Sequence, residues 1–283
     1  MKTLLLNYYN MDIDYLNYGY FTYQNGHYFI MKSNNSFFEI YSLYEYMIEA
    51  LQKKGYKIVR NKFDQVMSEQ YIVFSYEYEK LDIKKYIYYT FKPLQIYNLN
   101  LNSIKERWIE KIDCVRKEVG KYSYSFQYNK DLNALIHYYC GMGENAITLL
   151  NEIIYLDKKA FLPLCLSLRH KINLYYHEML NPCYYDISTR SRHLIYLLKS
   201  NIISFDDFDN IVQDCHFNYI ELMYLFARGL YCSEFFDFIM EGKIENDRID
   251  YFKNNIRYNQ EFLKLLRKKL TKFISLPEIS WLD

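Results

Sequence analysis

The 283-residue chain is 24% charged with a formal net charge of +1, a balance that excludes an acidic disordered segment and a basic nucleic-acid binder. Its 51% hydrophobic share includes 34 tyrosines, which are amphipathic, so the mean hydropathy is negative. The abundance of Tyr, Asn, Lys and Ile reads as the codon bias of an AT-rich genome.

A chain of this length can bury one large core or split into two lobes. Its six cysteines lie far apart with no Cys-x-x-Cys pair, the pattern of free thiols in a reducing compartment. Met1 to Asn7 is too short an apolar run for a signal peptide, and no stretch of 18 apolar residues is present. A cytoplasmic protein without a membrane span is expected.

The first local signal spans residues 18–32. Two aromatic and apolar runs, Tyr18 to Tyr23 and His27 to Lys32, flank Gln24-Asn25-Gly26, and Asn-Gly between such runs predicts a type I′ hairpin. Ser36 with Glu39 forms a capping box that opens a helix ending at Gly55, its apolar positions running from Phe37 to Leu51 at helical spacing. Lys57 to Arg60 and Tyr71 to Tyr78 then read as two strands. Residues 1–79 are therefore expected to form a small antiparallel sheet packed on one helix.

Residues 80–102, polar-aromatic with Pro93, read as an irregular connector. Ser103 and Glu106 suggest a second capping box, with Ile104, Trp108, Ile112, Val115 and Val119 on one stripe. A further helix is expected over 131–156, where Gly141 and Gly143 either break it or admit another backbone. Residues 160–190 look irregular and weakly helical. Helical stripes return at 192–200, 206–213, 217–230, 233–240 and 247–273, making 103–283 a helical body. The basic cluster Lys264, Arg267, Lys268, Lys269 and Lys272 reads as a solvated face that complements the helix C-terminus.

The strong catalytic signatures are missing: no phosphate-binding Gly-Lys-Ser/Thr loop, no Gly-x-Ser-x-Gly elbow and no His-Glu-x-x-His. Gly141-Met142-Gly143 does not follow a strand. The histidines lack ligand spacing, and the neighbours Cys215 and His216 point apart on a helix, which argues against zinc. One constellation carries chemistry. Lys32 ends a strand and precedes a helix bearing Glu39, Glu45 and Glu49, as where a strand lysine grips nucleotide phosphates and a helix carboxylate holds it. Glu45 borders the apolar face and is the best partner. Spacing by itself favours a polar strand end and a surface acid.

The order of elements adds to this. Hairpin, Lys-terminated strand, capped helix, two strands, connector and helical body resemble the protein-kinase-like fold, in its aminoglycoside and choline kinase branch and the related bacterial spore-coat kinase-like proteins. The resemblance covers about residues 18–200. It implies an α+β, two-lobed architecture: a small antiparallel β lobe with one helix over 1–79, a connector over 80–102, and a mostly helical large lobe over 103–283. It implies Lys32 on phosphate, Glu45 orienting Lys32, Asp186 on a divalent ion, and ATP with Mg²⁺ as the bound group. In the best match to the family's His-x-Asp loop, Leu168 to Asn173, Ile172 stands where the catalytic Asp belongs. Asn181 lies too far from His170 to serve as the loop's metal-binding Asn, and only Gly26 replaces a glycine-rich loop. The expectation is a catalytically degenerate kinase-like module, with no catalytic residue, an unidentified protein partner, residual nucleotide binding and a place in a spore coat. The alternatives are an active small-molecule phosphotransferase with a substitute base (Asp186, or a residue of 173–181) and an unrelated helical interaction protein.

Overall fold

The computed structural model describes residues 1–17, 19–32, 37–50, 57–76, 82–94, 98–121, 130–158, 160–169, 184–242, 244–280 and 282. By contact the chain divides into two compact units. The first joins Met1–Lys92 to Cys165–Ile187, and the second joins Pro93–Leu164 to Ser188–Asp283.

The first unit holds an antiparallel sheet of order β1-β2-β4-β3, from β1 (Tyr20–Tyr23), β2 (Gly26–Lys32), β3 (Lys57–Val59) and β4 (Tyr71–Tyr76). The expected hairpin is present, with its turn one residue earlier than the sequence suggests. Gln24 and Asn25 take the two left-handed positions, at φ 46° and 63°, while Gly26 already pairs with Tyr23. A Cβ on Gly26 would lie 2.7 Å from the Tyr28 ring, which would have to turn aside.

Strand alternation gives the sheet two buried faces. On one, Phe29 stacks on Phe74 at 4.8 Å, and Tyr44 of helix α2 (Phe37–Ala50) reaches Phe74 at 6.1 Å. On the other, Phe21, Ile30 and Val73 pack with Leu4, Leu5, Tyr9, Met11 and Ile13. The last five come from helix α1 (Lys2–Tyr9) and the segment after it, where no element was expected. A fully buried Leu or Val is worth about 1.5–3 kcal/mol over an exposed one, which is what an eight-residue helix without a side-chain cap needs to persist. The supposed connector also contains a helix, α3 (Ile83–Thr90), capped by Asp82 on the Lys84 and Lys85 N–H groups. Ser36, Gly55 and the side chain of Glu39 lie outside the described residues.

A second sheet has the order β5-β6-β7, from β5 (Asn98–Asn100), β6 (Phe161–Leu168) and β7 (Tyr185–Thr189). Its strands Phe161–Leu168 and Tyr185–Thr189 stand where an irregular, weakly helical stretch was expected, and residues 170–183 of that stretch lie outside the described residues. Phe161 to Leu168 is an apolar run without alternation, so periodicity could not reveal a strand.

The helices of the second unit are α4 (Leu101–Lys121), α5 (Lys130–Leu156), α6 (Arg190–Lys199), α7 (Phe205–Asp214), α8 (Tyr219–Leu230), α9 (Ser233–Met240) and α10 (Asn246–Leu270). Helix α4 starts two residues before Ser103, because the Asn100 side chain accepts the Asn102 N–H at 2.8 Å. Its stripe of Ile104, Trp108, Ile112 and Val115 is buried as expected. Helix α5 runs unbroken through both glycines. A Cβ on Gly143 would meet Ile112 Cδ1 at 2.7 Å, so this glycine lets α4 approach, whereas nothing lies within 4 Å of Gly141.

A buried ion pair ties α6 to α8. Arg190 donates Nε and Nη2 to the Glu221 carboxylate at 2.7 and 2.5 Å, and Nη1 to the Cys215 carbonyl. Glu221 also completes a capping box with Asn218. The Lys269 and Lys272 ammonium groups converge on Asp209, and Lys264 and Lys268 are exposed, so the basic cluster is partly an internal clamp. The five described cysteines are free thiols. Among the described residues no helix is long and apolar enough to cross a membrane.

Candidate functional site

All three residues singled out from the sequence, Lys32, Glu45 and Asp186, fall in the first unit. Lys32 is exposed at the end of β2, opposite Tyr71. Alternation places it on the face of Tyr28 and Ile30, which pack toward α1. Glu45 is exposed on α2, next to Tyr44, which packs on the Phe29–Phe74 face. The strand therefore does not bring Lys32 and Glu45 to one face. Pairing them requires the Lys32 side chain to fold round the strand end.

The entry to this hairpin is tightly specified. Gly19 sits at φ +90°, its carbonyl accepts the Ile30 N–H at 2.8 Å, and a Cβ there would lie 2.6 Å from the Ile30 carbonyl oxygen. Only glycine fits this close approach.

Asp186 is half-buried in β7, and its Oδ1 accepts the Ile187 N–H at 2.8 Å. Beside it, the Tyr185 hydroxyl shares a buried 2.7 Å hydrogen bond with that of Tyr86 on α3. Burial pushes both phenols up, so they stay protonated and act as fixed dipoles. Arg169, just after β6, donates its backbone N–H to the Tyr184 carbonyl and its Nε to the Tyr185 carbonyl, each at 2.7 Å. A guanidinium is thereby fixed one peptide from the Asp186 carboxylate. Spacing gave no hint of Arg169 or of the tyrosine pair. His170, Ile172, Asn173 and Asn181 lie outside the described residues.

For a divalent ion, Asp186 is the carboxylate the sequence nominates, and no group of three His, Cys, Asp or Glu among the described residues could hold a metal. That does not suit a metal caged wholly by protein. It does suit Mg²⁺, which keeps several waters and is held by about one or two carboxylates together with substrate phosphates.

No protein-family model matches the sequence, and no curated protein matches it. Solved structures do match. An aminoglycoside phosphotransferase from Alicyclobacillus acidocaldarius superposes with a TM-score of 0.59 at 10% identity, covering 94% of this chain and 95% of that one. Spectinomycin phosphotransferase in its AMP-bound complex gives 0.56 at 13% identity, covering 97% and 98%. The same enzyme with ADP and spectinomycin gives 0.50 at 13% identity, covering 97% and 94%. The chain has the protein-kinase-like fold of the aminoglycoside phosphotransferases.

This match corrects the reading of the chain as a catalytically degenerate scaffold, and it lends no support to a spore-coat role. The solved chains that share the fold over nearly their whole length are phosphotransferases, which favours the active alternative. The degenerate reading rests on Ile172 at the place of the catalytic Asp, and a slip of a few residues along the loop puts a different side chain there. The match also removes the unrelated helical interaction protein.

Proposed function

We propose that the chain is a nucleotide-dependent phosphotransferase acting on a hydroxyl of a small molecule, of the amino-sugar or amino-alcohol class. The observation that carries this is the match of an aminoglycoside phosphotransferase over 94% of the chain. Bound AMP and ADP in the related structures support a nucleotide ligand, and a cytoplasmic setting would supply ATP.

On this reading the strand-rich and helical units play the small and large lobes. The substrate oxygen bonds to the terminal phosphorus of ATP as the bond from that phosphorus to the oxygen bridging ADP breaks. The hydroxyl proton passes to a base. Lys32 supplies positive charge for the phosphates, and Glu45 steadies it if the side chain turns toward α2. Asp186 is the residue that would hold Mg²⁺, which when bound neutralises phosphate charge. Arg169 and the protonated Tyr86–Tyr185 pair hold β7 in place and so position Asp186. With Asp186 on the metal, the base comes from residues 173–181, where His177 and Glu178 are side chains of the types that serve as general bases.

The test is transfer of labelled phosphate from ATP to a panel of aminocyclitols, amino sugars and amino-alcohols. Transfer is expected to at least one, lost in Lys32→Ala and Asp186→Asn, and cut by about a hundredfold or more in His177→Ala or Glu178→Gln. Absence of transfer to the whole panel, with no protection by ATP and Mg²⁺, would overturn the proposal.

A further inference from the structure

Two stripes of side chains face each other where α6 packs on α8 in the helical unit. On α6, Arg192, Tyr196 and Lys199 follow at i, i+4 and i+7, all half-buried, while the residues between them are largely buried. On α8 and its end, Tyr224, Arg228 and Tyr231 repeat the same spacing. Trp108 of α4 lies against the second stripe, stacked on Tyr231 at 4.2 Å and on Tyr224 at 6.1 Å. The Arg228 guanidinium stands 5.6 Å from the Trp108 ring centre, and that of Arg192 stands 5.5 Å from the Tyr196 ring centre.

Within this cluster Arg228 Nε and the Tyr231 hydroxyl are buried without a hydrogen-bond partner. Each is a donor that needs an acceptor. The field there is positive. Burial pushes the Tyr196 phenol up, yet Arg228, Arg192 and Lys199 together carry it below its usual range. Burial is the main cause that pushes Lys199 down, with Arg228 adding to it against Cys232, Tyr196 and Glu234. The nearby acids do not balance this, since Glu234 is exposed and Asp237 is engaged by Lys111.

We propose that the facing stripes of α6 and α8 bind a phosphate group, free or on a small ester, with Arg192, Lys199 and Arg228 as its ligands and the Trp108–Tyr231 stack as its wall. Two guanidinium groups and an ammonium outnumber what a lone carboxylate can accept. A phosphate has three terminal oxygens and matches the planar fork of arginine.

The test uses the full chain and inorganic phosphate, titrated by calorimetry and by thermal shift at constant ionic strength set with chloride. Saturable binding and a raised Tm are expected, with acetate giving neither. Arg228→Gln and Lys199→Gln should each weaken binding by about tenfold or more, the worth of a charge-assisted hydrogen bond. Lys32→Ala should leave it unchanged, which separates this site from the proposed nucleotide site. Arg228→Lys keeps the charge and should retain part of the affinity, so loss in Arg228→Gln is not a folding defect. Lack of phosphate binding would mean that water satisfies these donors, and binding lost in Lys32→Ala but kept in Arg228→Gln would place the phosphate elsewhere. Either result overturns the proposal.

Discussion

His193 on α6 is wholly buried, and burial followed by the Arg192 charge lowers its pKa from 6.5 to about 3. The folded chain therefore keeps this imidazole neutral at pH values where the unfolded chain protonates it. The contribution to stability is complete above pH 6.5 and is lost as pH falls toward 3, at up to about 1.4 kcal/mol per pH unit. His193→Gln should flatten the fall of the urea midpoint between neutral pH and pH 4, whatever it does to the absolute level. The Arg190–Glu221 pair predicts a different signature. Its side chains are 9% and 1% exposed, so Glu221→Gln strands a charge and should cost about 3–5 kcal/mol in chemical denaturation. A double change to Arg190→Met and Glu221→Leu should cost clearly less than the sum of the single changes, because no lone ion is left behind.

Among the elements, the two glycines of α5 make a paired prediction. Gly141→Ala meets open space and should stabilise by about 0.5–1 kcal/mol through helix propensity. Gly143→Ala drives a methyl group onto Ile112 and Phe236 and should destabilise by about 1–3 kcal/mol, less the same propensity gain. Thermal melts of the two variants should move in opposite directions. The elements visible from sequence were those with strong local chemistry: the hairpin around Asn25, the stripe through Trp108, and the helices from 192 onward. Those missed owe their existence to partners far along the chain. Helix α1 holds through the sheet face it covers, and β6 has no alternation to betray it. Lys32 could be nominated from its neighbours in sequence, and Asp186 from the family resemblance. The supports of Asp186 could not, since Tyr86 reaches Tyr185 across 99 positions and Arg169 ends an apolar run.

For the whole molecule, ligand linkage is the most direct check on function. A nucleotide that binds the folded chain alone adds about 2.7 kcal/mol at a hundred times its dissociation constant. At roughly 2–4 °C per kcal/mol for a chain of this size, ATP with Mg²⁺ should raise Tm by about 5–10 °C. The gain should shrink in Asp186→Asn more than in Glu45→Gln, because the strand's alternation sets Lys32 and Glu45 on different faces. A flat melt with every nucleotide would count against phosphotransfer while leaving the fold untouched.

The first unit is assembled from Met1–Lys92 and Cys165–Ile187, with residues 93–164 belonging to the second. During synthesis the ribosome must therefore deliver all of α4 and α5 before residues 165–187 of the first unit exist. The amino-terminal sheet can pair its four strands early, but the unit around it has to wait for Tyr185 to reach Tyr86. Nascent chains stalled before that point should be digested readily by protease in this region, and chains stalled well beyond it should resist.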